Sequence, residues 1–181
     1  MVSRLLGEFL MRLNYLPSLL TVGNLAAGVL ALAEIQQGRL ALAAYLVLAA
    51  VLLDGLDGKV ARALHVESAF GRELDSLADL VSFCVAPSFL FYAGGLAGLG
   101  VVGLTAVVAM VLAGALRLAR YNVDGPPDYF VGLPTTVAGG IAAGLWLVTA
   151  WLGVHPPGGV WALVLLLLAL LMVSRIKVPK I

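Results

Sequence analysis

Four aspartates fall within 26 residues of a chain that is otherwise overwhelmingly apolar: Asp54, Asp57, Asp75 and Asp79, in DGLDGKVARALHVESAFGRELDSLAD. Acidic side chains inside hydrophobic spans are expensive and mark ion or substrate sites. Asp54 and Asp57 are three residues apart and Asp75 and Asp79 four apart, and either interval sets a pair on one face of a helix. Two such helices could bring all four carboxylates to one point. Like charges so close in a low dielectric cannot all stay ionised, and one or two divalent cations are the simplest remedy. All-oxygen ligands suit Mg2+, Mn2+ or Ca2+ rather than Zn2+. DGLDG lacks the alternating acids of an EF-hand loop, and a turn at residues 57–58 would scatter the cluster, so a helix is expected to run through it.

The elements that must hold these groups are membrane spans. Of 181 residues, 62% are hydrophobic and 12% charged, about half the charge of a soluble domain. Lipid is therefore the solvent for most of the surface, and at about 20 residues per span the chain has room for six helices. The net charge of +1 names no partner, and no nucleic-acid partner is expected. The single Cys84 forms no internal disulfide and reads as a buried, inert thiol. No cleavable signal peptide is evident.

Residues 1–16, with Arg4, Glu8 and Arg12 among leucines at helical intervals, read either as an amphipathic helix in the interface plane or as a frayed tail. The spans are placed at residues 17–33, 40–62, 70–92, 101–118, 132–152 and 160–173, with a basic tail at 177–181, so that 17–176 form one domain. Asn24, in the first span, reads as interhelical glue more than as a ligand. Gly55 and Gly58 are unfavourable in a helix, by about 1 kcal/mol each, which suggests that something bulky approaches the backbone there. Pro87 is expected to kink the third span. Tyr15, Tyr92, Trp146, Trp151 and Trp161 read as an interfacial aromatic belt. His65 reads as a solvated loop residue, His155 as structural, and Glu67 and Glu73 as loop charges.

Basic residues orient the bundle. With the N-terminus inside, Arg4, Arg12, Lys59, Arg62, Arg72, Arg117, Arg120, Arg175, Lys177 and Lys180 fall on the cytoplasmic side and only Arg39 outside. The positive-inside rule thus puts both termini and the carboxylates at the cytoplasmic face. Carboxylates that hold a divalent metal, beside Lys59, Arg62, Arg117, Arg120 and open glycine backbone, are what a polyphosphate needs. A phosphoryl-type substrate at the membrane surface follows.

The pattern Asp54-x2-Asp57-Gly58-x2-Ala61-Arg62-x8-Gly71-x3-Asp75-x3-Asp79 resembles the complete signature of the CDP-alcohol phosphotransferases, with no position departing from it. The resemblance implies a six-span core, two Mg2+ or Mn2+ ions held by Asp54, Asp57 and Asp75, and Asp79 as a further ligand or as the general base. It implies that Gly58, Ala61, Arg62, Ser68 and Gly71 line the pocket for a CDP-lipid, and that an alcohol displaces CMP. A carboxylate that touches metal is usually too acidic for good base work, so Asp79, as base, would be the least tightly ligated of the four. A homodimer in the cell inner membrane is implied likewise.

The flanks LPSLLTVGN (16–24), ELDSLADLVSF (73–83), RLARYN (117–122) and GLP (132–134) resemble those of integral-membrane bacterial phosphatidylserine synthases. That implies CDP-diacylglycerol and L-serine as substrates, with Arg117 or Arg120 for the serine carboxylate and Asn122 or Asp124 for its ammonium. Inositol phosphate or glycerol phosphate would also want an arginine, so charge alone does not choose the acceptor. An ion transporter is the reading from another class, but it expects carboxylates spread through the membrane depth, whereas here they gather near one face.

Overall fold

The computed structural model describes residues 16–64, 68–124, 130–174 and 177–178. The N-terminal segment 1–15, His65, Glu67, Arg175 and Lys180 lie outside the described residues. The described residues are mostly helical, apart from turns and one two-residue β pairing. Helix α1 (Leu16–Gln36) carries Pro17 in its first turn, where its missing N–H is no loss. The chain reverses at Gly38, whose φ of +73° suits glycine, and Arg39 pairs with Glu34 across this turn. Helix α2 (Leu40–Leu64) then runs unbroken through Asp54, Gly55, Asp57 and Gly58. Ser68 caps α3 (Ala69–Asp79) by accepting from Gly71 N–H at 2.9 Å.

Instead of a simple kink, the third rod changes register. A π-helical stretch (Leu80–Val85) follows α3 directly and leads into α4 (Ala86–Ala93), which holds Pro87 in its first turn. The Ala86 N–H reaches back to Val81 O, five residues away. Pro87 has no N–H to donate, so the wider register falls just where an α ladder would lose a bond. A 3-10 turn (Leu96–Leu99) precedes α5 (Val101–Asp124), and α6 (Thr135–Trp151) and α7 (Gly158–Val173) complete the bundle.

Four rods, Pro17–Gln36, Leu40–Leu64, Ala69–Ala93 and Val101–Val123, are long and apolar enough to cross a membrane. Helices α6 and α7, with 17 and 16 residues, are shorter. At 1.5 Å per residue such helices reach roughly 25 Å, just under the hydrocarbon thickness of about 30 Å. The fifth span is shorter than expected because residues 132–134 are not helical.

The π stretch is the centre of the packing. Side chains on either side of it feed two apolar clusters. Phe83, Ala86 and Leu90 join Ala27, Ala31, Ala43, Val47 and Ala50 of α1 and α2. Cys84 and Phe91 join Met110, Ala138, Trp161 and Leu165 of α5, α6 and α7. Three glycines from three helices admit it. A Cβ on Gly28 would lie 2.9 Å from Ser82 Cα, one on Gly139 2.7 Å from Phe83 Cα, and one on Gly114 2.2 Å from Cys84 Sγ. Real Cβ atoms do not approach so closely, so small-residue contacts let α1, α5 and α6 close on three consecutive residues of one rod.

Two aromatic residues correct the expected interfacial belt. Trp161 is 3% exposed and stacks on Phe91 at 4.5 Å, with Trp146 5.6 Å from it. Both belong to the core, whereas Trp151, 91% exposed, matches the expectation. Phe130–Val131, just ahead of the expected fifth span, pairs antiparallel with Lys177–Val178 of the expected basic tail. Next to this pair, Gly132 has a φ of +68°, and a Cβ there would meet Met172 O at 2.7 Å. Leu133 N–H donates to Leu171 O at 3.0 Å. The head of α6 is thus seated on the end of α7.

Candidate metal centre and active site

The first ends of α1, α3 and α6 and the last turns of α2 and α5 meet at one end of the bundle. From α2 and α3, Asp54, Asp57 and Asp75 each bring a carboxylate oxygen to within 4.8 Å of the other two. Asp57 is 6% exposed, and Asp54 and Asp75 are half-buried. Asp79, 6% exposed, sits one turn deeper on α3, beside Asp54 and Asp75 but outside that triad of oxygens.

Each oxygen of the cluster has its own environment. Thr21 of α1 donates to Asp57 Oδ2 at 2.9 Å, its hydroxyl also lying 3.1 Å from Pro17 O. Thr136 of α6 donates to Asp54 Oδ2 at 3.0 Å. Asp79 is held on both sides, by Asn24 Nδ2 on Oδ1 at 3.4 Å and by Thr135 Oγ1 on Oδ2 at 3.2 Å. Asp75 Oδ1 is buried and has no hydrogen-bond partner among the described residues. A buried carboxylate oxygen without a donor is costly unless a cation meets it. Three converging carboxylate oxygens, on residues one of which also carries an orphaned oxygen, fit a hard divalent ion.

The backbone beside the triad is open. A Cβ on Gly55 would meet nothing within 4 Å, and one on Gly58 only the Arg62 guanidinium at 3.9 Å. Arg62 is exposed, and Ala61 and Gly58 are half-buried on the same turns of α2. Ser68 and Gly71, which the resemblance puts in the pocket wall, pair with each other as the cap of α3.

The expected acceptor residues separate. Arg117 of α5 is half-buried, and its Nε is buried without a partner among the described residues. Arg120 is exposed. Asn122 is engaged between helices, donating to Ser76 Oγ at 3.0 Å and Glu73 Oε2 at 3.3 Å. Glu73 therefore stands on α3 as an interhelical acceptor and is not a loop charge. Of Asp124, only the backbone is described.

Three residues at this site carry no obvious mark in the sequence: Thr21, Thr135 and Thr136. A threonine at the head of an apolar helix looks like an ordinary start residue. The one usable signal is the adjacent pair behind Gly132, Leu133 and Pro134, two hydroxyls on consecutive positions of a buried helix end. Asn24, read as glue, does bridge helices, and its partner is the carboxylate of Asp79.

A sequence model of CDP-alcohol phosphatidyltransferases matches residues 14–174. The chain belongs to this family. Among curated relatives, it is 38% identical over 128 residues to a CDP-diacylglycerol--serine O-phosphatidyltransferase of Bacillus subtilis, covering 70% of this chain and 72% of that one. Proteins of the same name match from Helicobacter pylori, at 39% over 127 residues, and Mycobacterium leprae, at 36% over 190 residues. These alignments cover 67% and 99% of this chain but only 53% and 63% of those relatives, which are longer. The family match takes in every helix described above and all four aspartates.

Proposed function

We propose that this chain is a CDP-diacylglycerol–serine O-phosphatidyltransferase, acting with Mg2+ or Mn2+ at two adjacent sites. The observation that carries this reading is the division of labour among the carboxylates. Asp54, Asp57 and Asp75 each bring a carboxylate oxygen together, with a single hydroxyl donor on Asp54 and on Asp57, whereas Asp79 has a donor on each of its own oxygens. The first three are suited to ligation and the last to proton transfer. The names of the relatives support the serine acceptor.

Asp54, Asp57 and Asp75 would hold the divalent cations, whose chemistry when bound would be to offset the charge that develops on departing CMP. The chain's own groups do the rest. Gly58, with Ala61 and Arg62, offers open backbone and a bidentate cation to the nucleotide end; Ser68 and Gly71 shape the adjoining wall. Arg117, whose Nε lacks a partner, holds the serine carboxylate, and Arg120 and Asn122 border that pocket. Asp79 takes the proton from the serine hydroxyl as its oxygen bonds to the lipid-side phosphorus and the phosphorus–oxygen bond to CMP breaks. CMP and phosphatidylserine result. Because Asp79 is buried and fixed, it needs no reorientation in this step.

The same reading has all six helices crossing the inner membrane, with α6 and α7 slightly sunk, both termini cytoplasmic, the active site facing the cytoplasm, and residues 1–16 lying in the interface. Apolar side chains exposed all round the bundle, such as Leu52, Val102, Leu112 and Leu170, support contact with lipid and with a second copy. Purified protein supplied with CDP-diacylglycerol should release CMP with serine and far less with glycerol phosphate or inositol phosphate. Release that is equal for all three, or that survives an excess of chelator, would sink the reading.

A further inference from the structure

Two neighbouring hydroxyls at the head of α6 serve different carboxylates. Thr135, 1% exposed, donates to Asp79 Oδ2, and Thr136 donates to Asp54 Oδ2. Asn24, fully buried in α1, donates to the other oxygen of Asp79. Helix α6 thus touches the proposed base with one residue and the proposed metal ligand with the next. The head of α6 is in turn fixed by Gly132 and Leu133 against the last turn of α7.

We propose that Thr135 and Asn24 are positioning residues for Asp79, and that Thr136 orients Asp54, so that the first turn of α6 sets the distance between the base and the metal. This rests on the reading of Asp79 as the base. The physical content is directional. A carboxylate with a donor on each oxygen keeps one orientation, and the remaining lone pairs point to one place. If either donor is lost, the plane of the carboxylate is free to rotate. A metal ligand that loses its outer hydrogen bond instead loses affinity for the ion.

The two threonines should therefore give opposite signatures. Thr135→Val, which keeps shape and removes the hydroxyl, should lower kcat roughly 10- to 100-fold, the range seen when outer-shell partners are removed. Its Mn2+ affinity, read from the free-ion signal by electron paramagnetic resonance, and its KM for the CDP-lipid should stay within about twofold of wild type. Thr135→Ser should recover most of the lost kcat. Thr136→Val should weaken Mn2+ binding roughly tenfold or more. Loss of Mn2+ affinity in Thr135→Val, unchanged kcat in it, or failure of Thr135→Ser to recover turnover would overturn the proposal. Should Thr135→Val not fold, Asn24→Ala carries the same expectation, and normal kcat there would overturn it equally. Unaltered protein is assayed first with each acceptor. If only glycerol phosphate or inositol phosphate supports CMP release, the serine reading fails and the threonine comparison proceeds with that acceptor.

Discussion

At the scale of single residues, the four aspartates are alike in type and unlike in surroundings. Asp75 has a buried oxygen with no donor, and Asp79 has donors on both. Asp79→Asn should lower kcat by about 100- to 10,000-fold, the usual contribution of a positioned base, while Mn2+ binding by resonance titration is largely kept. Asp75→Asn should abolish that binding. Arg117 and Arg120 look equivalent in RLARYN, but only Arg117 has a buried, unpaired nitrogen. Arg117→Ala should raise the KM for serine about tenfold or more, as a lost charged hydrogen bond does, with the CDP-lipid KM little changed. Arg120→Ala should do less. A larger effect on the CDP-lipid would assign Arg117 to the other substrate. The aspartates were legible in the sequence because charge in an apolar chain is conspicuous and the three- and four-residue spacings fix a face. Thr21, Thr135 and Thr136 were not, because a hydroxyl adds little polarity and its partner lies on another helix.

At the scale of elements, long apolar runs made the helices plain, and Ser68 before α3 and Pro17 within α1 marked two starts. The π stretch carried no such mark. Its cause is Pro87 together with contacts from three other helices, and those contacts do not exist until the bundle closes. Trp146 and Trp161 were misread for a related reason: an aromatic near a span end looks the same whether it faces headgroups or stacks on Phe91. The glycine contacts make a sharp comparison within α6. Gly139→Ala drives a methyl into the Phe83 backbone and should destabilise by roughly 1–3 kcal/mol, as overpacking does. Gly144→Ala meets nothing within 4 Å and should be neutral or stabilising by about 1 kcal/mol from helix propensity. Thermal unfolding in mild detergent distinguishes them; equal behaviour would mean that α6 does not press on the π stretch.

At the scale of the whole molecule, hydrogen bonds fix the arrangement without reference to a membrane. Thr21, Asp57, Asp79, Asn122 and Thr135 gather at one end, and the turn at Gly38 with the Glu34–Arg39 pair lies at the far end of α1 and α2. The proposed sidedness rests on the basic residues. Cys84 is the only cysteine and is buried, so a Cys84→Ala background suits labelling from either side. A cysteine at Gln37 should react with an impermeant maleimide from outside intact cells, and one at exposed Arg62 only in inverted vesicles. The reverse pattern would invert the topology.

The five-residue reach from Ala86 to Val81 has one more consequence. Each residue of an α-helix turns the chain by about 100°, so a widened loop in the rod acts as a rotary offset between its two halves. The acidic half faces Asp54 and Asp57 and the Phe91 half faces the tryptophans, with that offset between them. Deleting one residue from Leu80–Val85 would leave every aspartate in the chain but swing Asp75 and Asp79 by about 100° relative to their anchor, away from Asp54 and Asp57.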